Sequence, residues 1–131
     1  MSFKKQENVK KYGFKRFFNS IKYSIEGLGA AYKTEQSLIL HAFVYILAII
    51  LGFVFHISGV KWCALIISLT VILTSELINT AIEAIVDMVT EEYHPLAKIA
   101  KDCASAASFV ISLATAAVAL IIFVPYIIEL F

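Results

Sequence analysis

Four polar side chains interrupt a long apolar run in the middle of the sequence. Residues 75–94 read SELINTAIEAIVDMVTEEYH, and they include Glu76, Asn79, Glu83 and Asp87. At about 100° per residue, these four side chains fall within roughly 80° of one another around a helix. The rest of the circumference is apolar. Carboxylates are costly to keep in such a setting, so the stripe indicates a functional site.

The spacing of these residues suits more than one chemical role. Glu83 and Asp87 lie one helical turn apart, so oxygens of both could bind one hard cation such as Mg²⁺. Glu76 lies about 10 Å further along the helix axis, where it could act as a general base for a substrate at the membrane interface. At the start of the next helix, Lys101 could offset phosphate charge and Asp102 could add a carboxylate. The alternative is a polar face that contacts only solvent or another helix; the apolar surroundings favour a site.

The composition predicts an integral membrane protein. Of the 131 residues, 60% are hydrophobic and 16% are charged, whereas soluble domains have about 45–50% apolar and about 25% charged residues. The apolar residues form long runs, and the length allows one small domain. Cys63 and Cys103 lie in apolar segments, which predicts two buried, inert thiols. The polar, basic N-terminus has no apolar core and no small-residue cleavage site, so we expect no cleavable signal peptide.

The elements that must position the stripe follow from the apolar periodicity. We predict an all-α fold in which an amphipathic helix over residues 12–34 lies in the membrane interface, with aromatic residues on one face and cations on the other. Packing of this helix against other helices is the alternative. Three transmembrane helices follow, over residues 38–57, 61–89 and 95–128. The apolar part of the second is too short to cross alone, so Glu76 and Asn79 should lie at or just below the head-group boundary.

The distribution of cations predicts the orientation of the chain. Eight of the eleven basic residues lie in the first 33 positions, and Lys98 and Lys101 follow the second span. Lys61 alone lies on the other side. Because cytoplasmic loops carry an excess of Lys and Arg, we expect a cytoplasmic N-terminus and an external C-terminus in the cell membrane. The acidic stripe then faces the side where ATP is found.

The phosphate-binding and metalloprotease motifs known from soluble enzymes do not occur in the sequence. GxxxxGK[ST] and HExxH are both missing. Binding of nucleic acid is not expected either, because the basic residues coincide with an aromatic amphipathic helix and three membrane spans.

Longer motifs carry a resemblance to a known family. ELINTAIEAIVD, EEYHPLAKIAKD and the amphipathic start GFKRFFNSIKYSIEGLGAAYKTE closely resemble the prokaryotic diacylglycerol kinase/undecaprenol kinase family. The resemblance covers nearly the whole chain. It implies a homotrimeric membrane lipid kinase that transfers the γ-phosphate of MgATP to a lipid alcohol at sites between subunits.

The resemblance also implies roles for individual residues. Glu76 matches the catalytic base of the family, while Glu35 and Glu83 match its ligands for a divalent metal. Asn79 and Asp87 match polar positions that support the site. Residues that match nucleotide contacts are Arg16, Tyr23, Glu35, Glu83, Glu92, Tyr93, His94, Lys101 and Asp102.

The lipid acceptor is the finer question. HPLAKIAKD, and KTE followed by His41, look more like the Gram-positive undecaprenol kinase branch. Gln36, Ser37, Ile39 and Ser108 depart from residues common among relatives. The hypothesis is therefore undecaprenol as acceptor, with diacylglycerol as the alternative. A non-enzymatic membrane channel or helix-packing subunit is the more distant alternative.

Overall fold

The computed structural model describes residues 13–131, and these residues are almost entirely helical. Four helices follow one another along the chain: α1 (Phe14–Thr34), α2 (Gln36–Val54), α3 (Gly59–Val89) and α4 (Pro95–Ile128). The predicted all-α architecture is confirmed. Tyr12, the expected first residue of the amphipathic helix, and residues 1–11 lie outside the described residues.

Three of the helices are long and apolar enough to cross a membrane: α2, α3 and α4. The 19 residues of α2 correspond to about 28 Å, close to the ~30 Å thickness of a bilayer core. The 31 residues of α3 and the 34 of α4 correspond to about 46 and 51 Å, so both helices extend beyond the hydrocarbon region. The prediction of three membrane spans is confirmed, and the protein is a multi-pass membrane protein.

Short connections join the helices. Glu35 alone separates α1 from α2: its backbone N–H donates to the carbonyl of Ala31, and the residue precedes the first turn of α2. Residues 55–58 join α2 to α3, where His56 adopts a positive φ of 49° that tightens the turn. Pro95 opens α4, where its missing N–H costs no helical hydrogen bond.

Most of α1 is not covered by the other helices. Ala31 is its one buried residue, and aromatic side chains such as Phe14, Phe17 and Phe18 are exposed. The amphipathic pattern therefore forms a helix whose apolar face is available to a membrane surface. Its position in the interface stays a prediction.

The hydrophobic core lies at the end of the molecule that contains the α2–α3 turn. Its buried members come from three helices and the turn: Ala48, Ile57, Leu65, Leu69, Ile122 and Phe123. Gly52 of α2 allows a close approach of α2 to Trp62 of α3, because a Cβ there would lie 2.6 Å from Cη2 of Trp62. This packing fixes α2 against α3 at the end away from the acidic stripe.

Polar contacts set the register of the antiparallel helices α3 and α4. The hydroxyls of Ser75 and Ser108 are hydrogen-bonded at 2.9 Å in a buried position, so the serine that departs from the family pattern has a partner. Lys61 donates to the Tyr126 hydroxyl at 3.1 Å near the opposite end. Such contacts hold helices together in lipid, where no hydrophobic driving force acts between them.

The cysteine prediction was partly wrong. Cys63 and Cys103 are free thiols, as expected, but both are exposed on the single chain. Their helix faces are apolar without being covered by another helix of the same chain. In a membrane protein an apolar sequence neighbourhood does not imply burial within the chain, because lipid can cover such a face.

Candidate functional site

Glu76 is the buried carboxylate of the acidic stripe. Only 6% of the residue is exposed, and both of its carboxylate oxygens have neighbours on α2. The Ser37 hydroxyl donates to Oε2 at 3.0 Å, and His41 Nε2 lies 3.5 Å from Oε1. Because a carboxylate without partners is costly to bury, these contacts explain how α3 keeps Glu76 inside the molecule.

Asn79 and Glu83 form the next step of the stripe. Asn79 is buried, and its Nδ2 donates to Oε1 of Glu83 at 3.1 Å. Among residues 13–131, Oδ1 of Asn79 has no hydrogen-bond partner although it is buried. Glu83 itself is half-buried, and Asp87 is exposed. The stripe therefore runs from a buried base candidate to a solvent-exposed carboxylate along one helix.

A charged groove of about 390 Å³ lies where α3 ends and α4 begins. The chain folds back there through residues 90–94, so the last turn of α3 and the first turns of α4 lie side by side. Six residues singled out from the sequence line this groove together: Asp87, Glu92, Tyr93, His94, Lys101 and Asp102. Lys98, which the sequence reasoning did not select, also lines it.

Each lysine of the groove is paired with a carboxylate. Lys101 on α4 donates to Oδ1 of Asp87 on α3, and Lys98 donates to Oδ2 of Asp102 within α4. A phosphate that entered the groove would compete with these carboxylates for the ammonium groups, as charge-assisted hydrogen bonds allow. His94 has a structural role as well, because its Nδ1 accepts from the Leu96 N–H and caps α4.

These pairs change the interpretation of the carboxylates. The spacing of Glu83 and Asp87 allowed one shared cation, but Glu83 accepts from Asn79 and Asp87 accepts from Lys101. In the part of the chain from residue 13 onwards, no three His, Cys, Asp or Glu side chains form a ready-made metal centre. The opposite charge of Lys101 on the neighbouring helix explains why Asp87 pairs with α4 and not with a cation shared with Glu83.

The other predicted site residues do not line the groove of the single chain. Arg16 and Tyr23 are exposed on α1, and Glu35 lies half-buried at the junction of α1 and α2. Glu76 and Glu83 precede the groove residues on α3 and do not line the groove. The single chain thus brings together one part of the expected site and leaves the α1 residues apart from it.

Sequence reasoning did not assign Ser37 and His41 to the site. One signal was available, because His41 is the one strongly polar residue of an otherwise apolar first span. The four-residue spacing of Ser37 and His41 also places both on one face of α2. Their contact with Glu76 depends on how α2 packs on α3, which periodicity does not specify.

The fold and the site define an integral membrane protein with a charged groove at one end of its apolar spans. Such an arrangement suits an enzyme that joins a water-soluble substrate to a membrane-bound one. The sequence pattern of the family described as prokaryotic diacylglycerol kinase matches residues 22–123. The chain belongs to this family, and the expectation of a membrane lipid kinase that uses ATP is confirmed.

Several curated relatives are similar over most of the chain. The undecaprenol kinase of Bacillus subtilis is 36% identical over 110 residues, which cover 84% of this chain and 89% of the relative. A diacylglycerol kinase of Synechocystis is 31% identical over 112 residues, covering 85% of this chain and 64% of the relative. A diacylglycerol kinase of Helicobacter pylori is 42% identical over 98 residues, covering 75% and 77%.

Proposed function

We propose that the protein transfers the γ-phosphoryl group of ATP to the hydroxyl of undecaprenol. The observation that carries the proposal is the arrangement of charge along α3. A groove lined by two lysines lies at the polar end of this helix, and the buried carboxylate of Glu76 lies on the apolar part of the same helix. A soluble nucleotide and a membrane alcohol can therefore approach the same helix from opposite directions.

In this proposal residues of the groove and of α1 bind the nucleotide. Lys101 and Arg16 offset phosphate charge, and Tyr23, Glu92, Tyr93, His94 and Asp102 contact the nucleotide. Asp87 holds Lys101 in place, through the contact described above. Positioning and charge neutralisation account for most of the catalysis in phosphoryl transfer, because little covalent chemistry is left to the protein.

Glu76 acts as the general base in the proposed reaction. Its carboxylate takes the proton of the lipid hydroxyl while the hydroxyl oxygen forms a bond to the γ-phosphorus and the bond to the β-phosphate oxygen breaks. ADP is the leaving group, and undecaprenyl phosphate is the product. The burial of Glu76 supports this role, because it shields the carboxylate from bulk water.

A magnesium ion is part of the proposal, with Glu35 and Glu83 as its protein ligands. Mg²⁺ in nucleotide sites typically takes one or two carboxylates, with phosphate oxygens and waters as the other ligands. Two separate glutamates therefore fit the ion, and a preformed group of three ligands is not required. The Asn79 hydrogen bond engages Oε1 of Glu83, which orients the carboxylate. When bound, Mg²⁺ would neutralise charge on the phosphates.

The proposed assembly is a homotrimer with sites between subunits. Two observations support it: Arg16 and Tyr23 are exposed on α1 and do not line the groove of their own chain, and the spans expose many apolar side chains. A neighbouring subunit could supply the α1 residues to the groove. The proposed orientation, with the groove and the N-terminus cytoplasmic, is supported by the distribution of basic residues.

Diacylglycerol is the second candidate acceptor. The relatives from Synechocystis and H. pylori are diacylglycerol kinases by name, whereas the B. subtilis relative is an undecaprenol kinase. The segments HPLAKIAKD and KTE…His41 favour undecaprenol through their resemblance to the Gram-positive branch.

An acceptor panel tests the proposed function. Purified protein in mixed micelles receives γ-labelled ATP, Mg²⁺ and either undecaprenol, diacylglycerol or no added lipid, and labelled lipid is separated by chromatography. We expect transfer to undecaprenol with a higher kcat/KM than to diacylglycerol. A clear preference for diacylglycerol would reject the first acceptor, and the absence of any lipid-dependent transfer would favour a non-enzymatic membrane protein.

A further inference from the structure

The contacts of Glu76 point to two residues that the proposed catalytic set lacks. Ser37 Oγ lies 3.0 Å from one carboxylate oxygen, and His41 Nε2 lies 3.5 Å from the other. Both belong to α2, one helical turn apart, whereas Glu76 belongs to α3. Thus the base candidate is held by groups from a different helix on both of its oxygens.

We propose that Ser37 and His41 are positioning residues that hold the Glu76 carboxylate in the orientation needed to accept the proton of the lipid hydroxyl. This inference rests on the proposed function, because it assigns a task within that reaction. The terminal torsion of a glutamate is broad, so an unrestrained carboxylate samples many orientations. Two contacts from one rigid helix limit this freedom.

The chemistry of the two contacts fits such a restraint. Ser37 donates its hydroxyl proton to Oε2, and Nε2 of His41 lies within ion-pair distance of Oε1. A carboxylate oxygen has two lone-pair sites, so each oxygen keeps room for one more donor. Each oxygen therefore keeps a lone pair that could accept the hydroxyl of the lipid.

The position of Ser37 and His41 in α2 links the base to the proposed metal ligand. Glu35 precedes the first turn of α2, two residues before Ser37. A contact between Ser37 and Glu76 therefore joins the start of α2 to the middle of α3. Small errors in such placement are costly, since a shift of about 1 Å can reduce a rate on the order of 100-fold.

The alternative is that Ser37 and His41 only fasten α2 to α3. Loss of a fastening would lower the amount of folded protein, whereas loss of positioning lowers kcat in protein that remains folded. Nucleotide binding separates the two cases further. The groove of Lys101 is built by α3 and α4, so a change in the orientation of Glu76 should leave the KM for ATP unchanged.

Single and conservative substitutions test the positioning role in the purified, lipid-reconstituted protein. We expect Ser37→Ala and His41→Leu each to lower kcat about tenfold, with the KM for ATP within about twofold of the wild-type value. Ser37→Thr and His41→Gln keep a donor, and they should restore most of the rate. Ser24→Ala is the matched control, because the Ser24 hydroxyl donates only within α1.

Unchanged kcat in both Ser37→Ala and His41→Leu would overturn the proposal. Equal loss in Ser37→Thr and Ser37→Ala, and in His41→Gln and His41→Leu, would overturn it as well, because a retained donor would then be irrelevant. A parallel rise in the KM for ATP would assign the effect to general distortion and would reject positioning of Glu76.

A stability measurement separates this inference from the proposed function. Thermal unfolding in detergent is compared for wild type, Ser37→Ala, Glu76→Ala and the double variant. We expect Ser37→Ala to lower Tm in the wild-type background and to have little effect when Glu76 is already alanine. Lack of such coupling contradicts the Ser37–Glu76 contact whatever the activity. If the coupling is observed but the wild-type protein phosphorylates no lipid, the Ser37–Glu76 contact stands and the proposed function is rejected.

Discussion

Lys101 on α4 donates to Asp87 on α3, directly across the charged groove. The pair joins the first turns of one span to the last turns of another at the polar end of the molecule. It keeps an ammonium group inside the groove without bound phosphate, and a single ammonium group can serve both a carboxylate and a phosphate oxygen because it has three donors. The pair is therefore an anchor for the proposed nucleotide site.

Replacement of Lys101 by methionine tests this anchor. We expect the KM for ATP to rise about 10- to 100-fold, since charge-assisted hydrogen bonds contribute about 1.5–3 kcal/mol. Steady-state kinetics with varied ATP and saturating lipid measure the change. Lys22→Met is the matched control, because Lys22 is an exposed lysine that pairs with Glu26 within α1. An equal effect of both substitutions would argue against a specific role for Lys101.

Substitution of Glu76 by glutamine tests the proposed base. Glutamine keeps the size and an acceptor oxygen, so the Ser37 contact can persist while the capacity to take a proton is lost. General-base catalysis contributes about 10²–10⁴ in rate, and we expect kcat to fall within that range. Binding of a fluorescent ATP analogue should remain close to the wild-type value. A variant with undiminished kcat would remove Glu76 from the reaction.

Substitution of Glu83 by glutamine tests the proposed metal ligand. Loss of one of two carboxylate ligands should raise the Mg²⁺ concentration required for half-maximal activity, by about tenfold or more. Titration of Mg²⁺ at fixed ATP measures this requirement. Glu26→Gln on α1 controls for the loss of one negative charge, because Glu26 is exposed and paired with Lys22. An unchanged Mg²⁺ requirement in Glu83→Gln would assign Glu83 a role other than metal binding.

Gly52→Ala tests the packing that holds α2 on α3. A Cβ at this position would lie 2.6 Å from Trp62, so alanine forces the indole or the helices apart. Overpacking typically costs about 1–3 kcal/mol, and we expect a lower Tm in detergent. In Gly29→Ala the new Cβ meets no atom within 4 Å, so the higher helix propensity of alanine should maintain or raise Tm. A similar Tm for the two variants would contradict the close approach.

The features that the sequence predicted are those determined by residues close together along the chain. The four helices were predictable because apolar periodicity, the run lengths that span a bilayer and Pro95 are local signals. The acidic stripe was predictable for the same reason, since its geometry follows from the helix repeat alone. Family motifs extended the prediction to Glu35, which periodicity did not distinguish from an ordinary acidic residue.

The partners of these side chains were decided only by tertiary structure. Asp87 contacts Lys101 because the turn at residues 90–94 brings α4 back along α3. Glu76 contacts Ser37 and His41 because α2 packs against α3. The exposure of Cys63 and Cys103 likewise depends on which helix faces meet. A repeat along one helix fixes the direction of its side chains relative to each other, but the packing angle and register between helices determine what each side chain contacts.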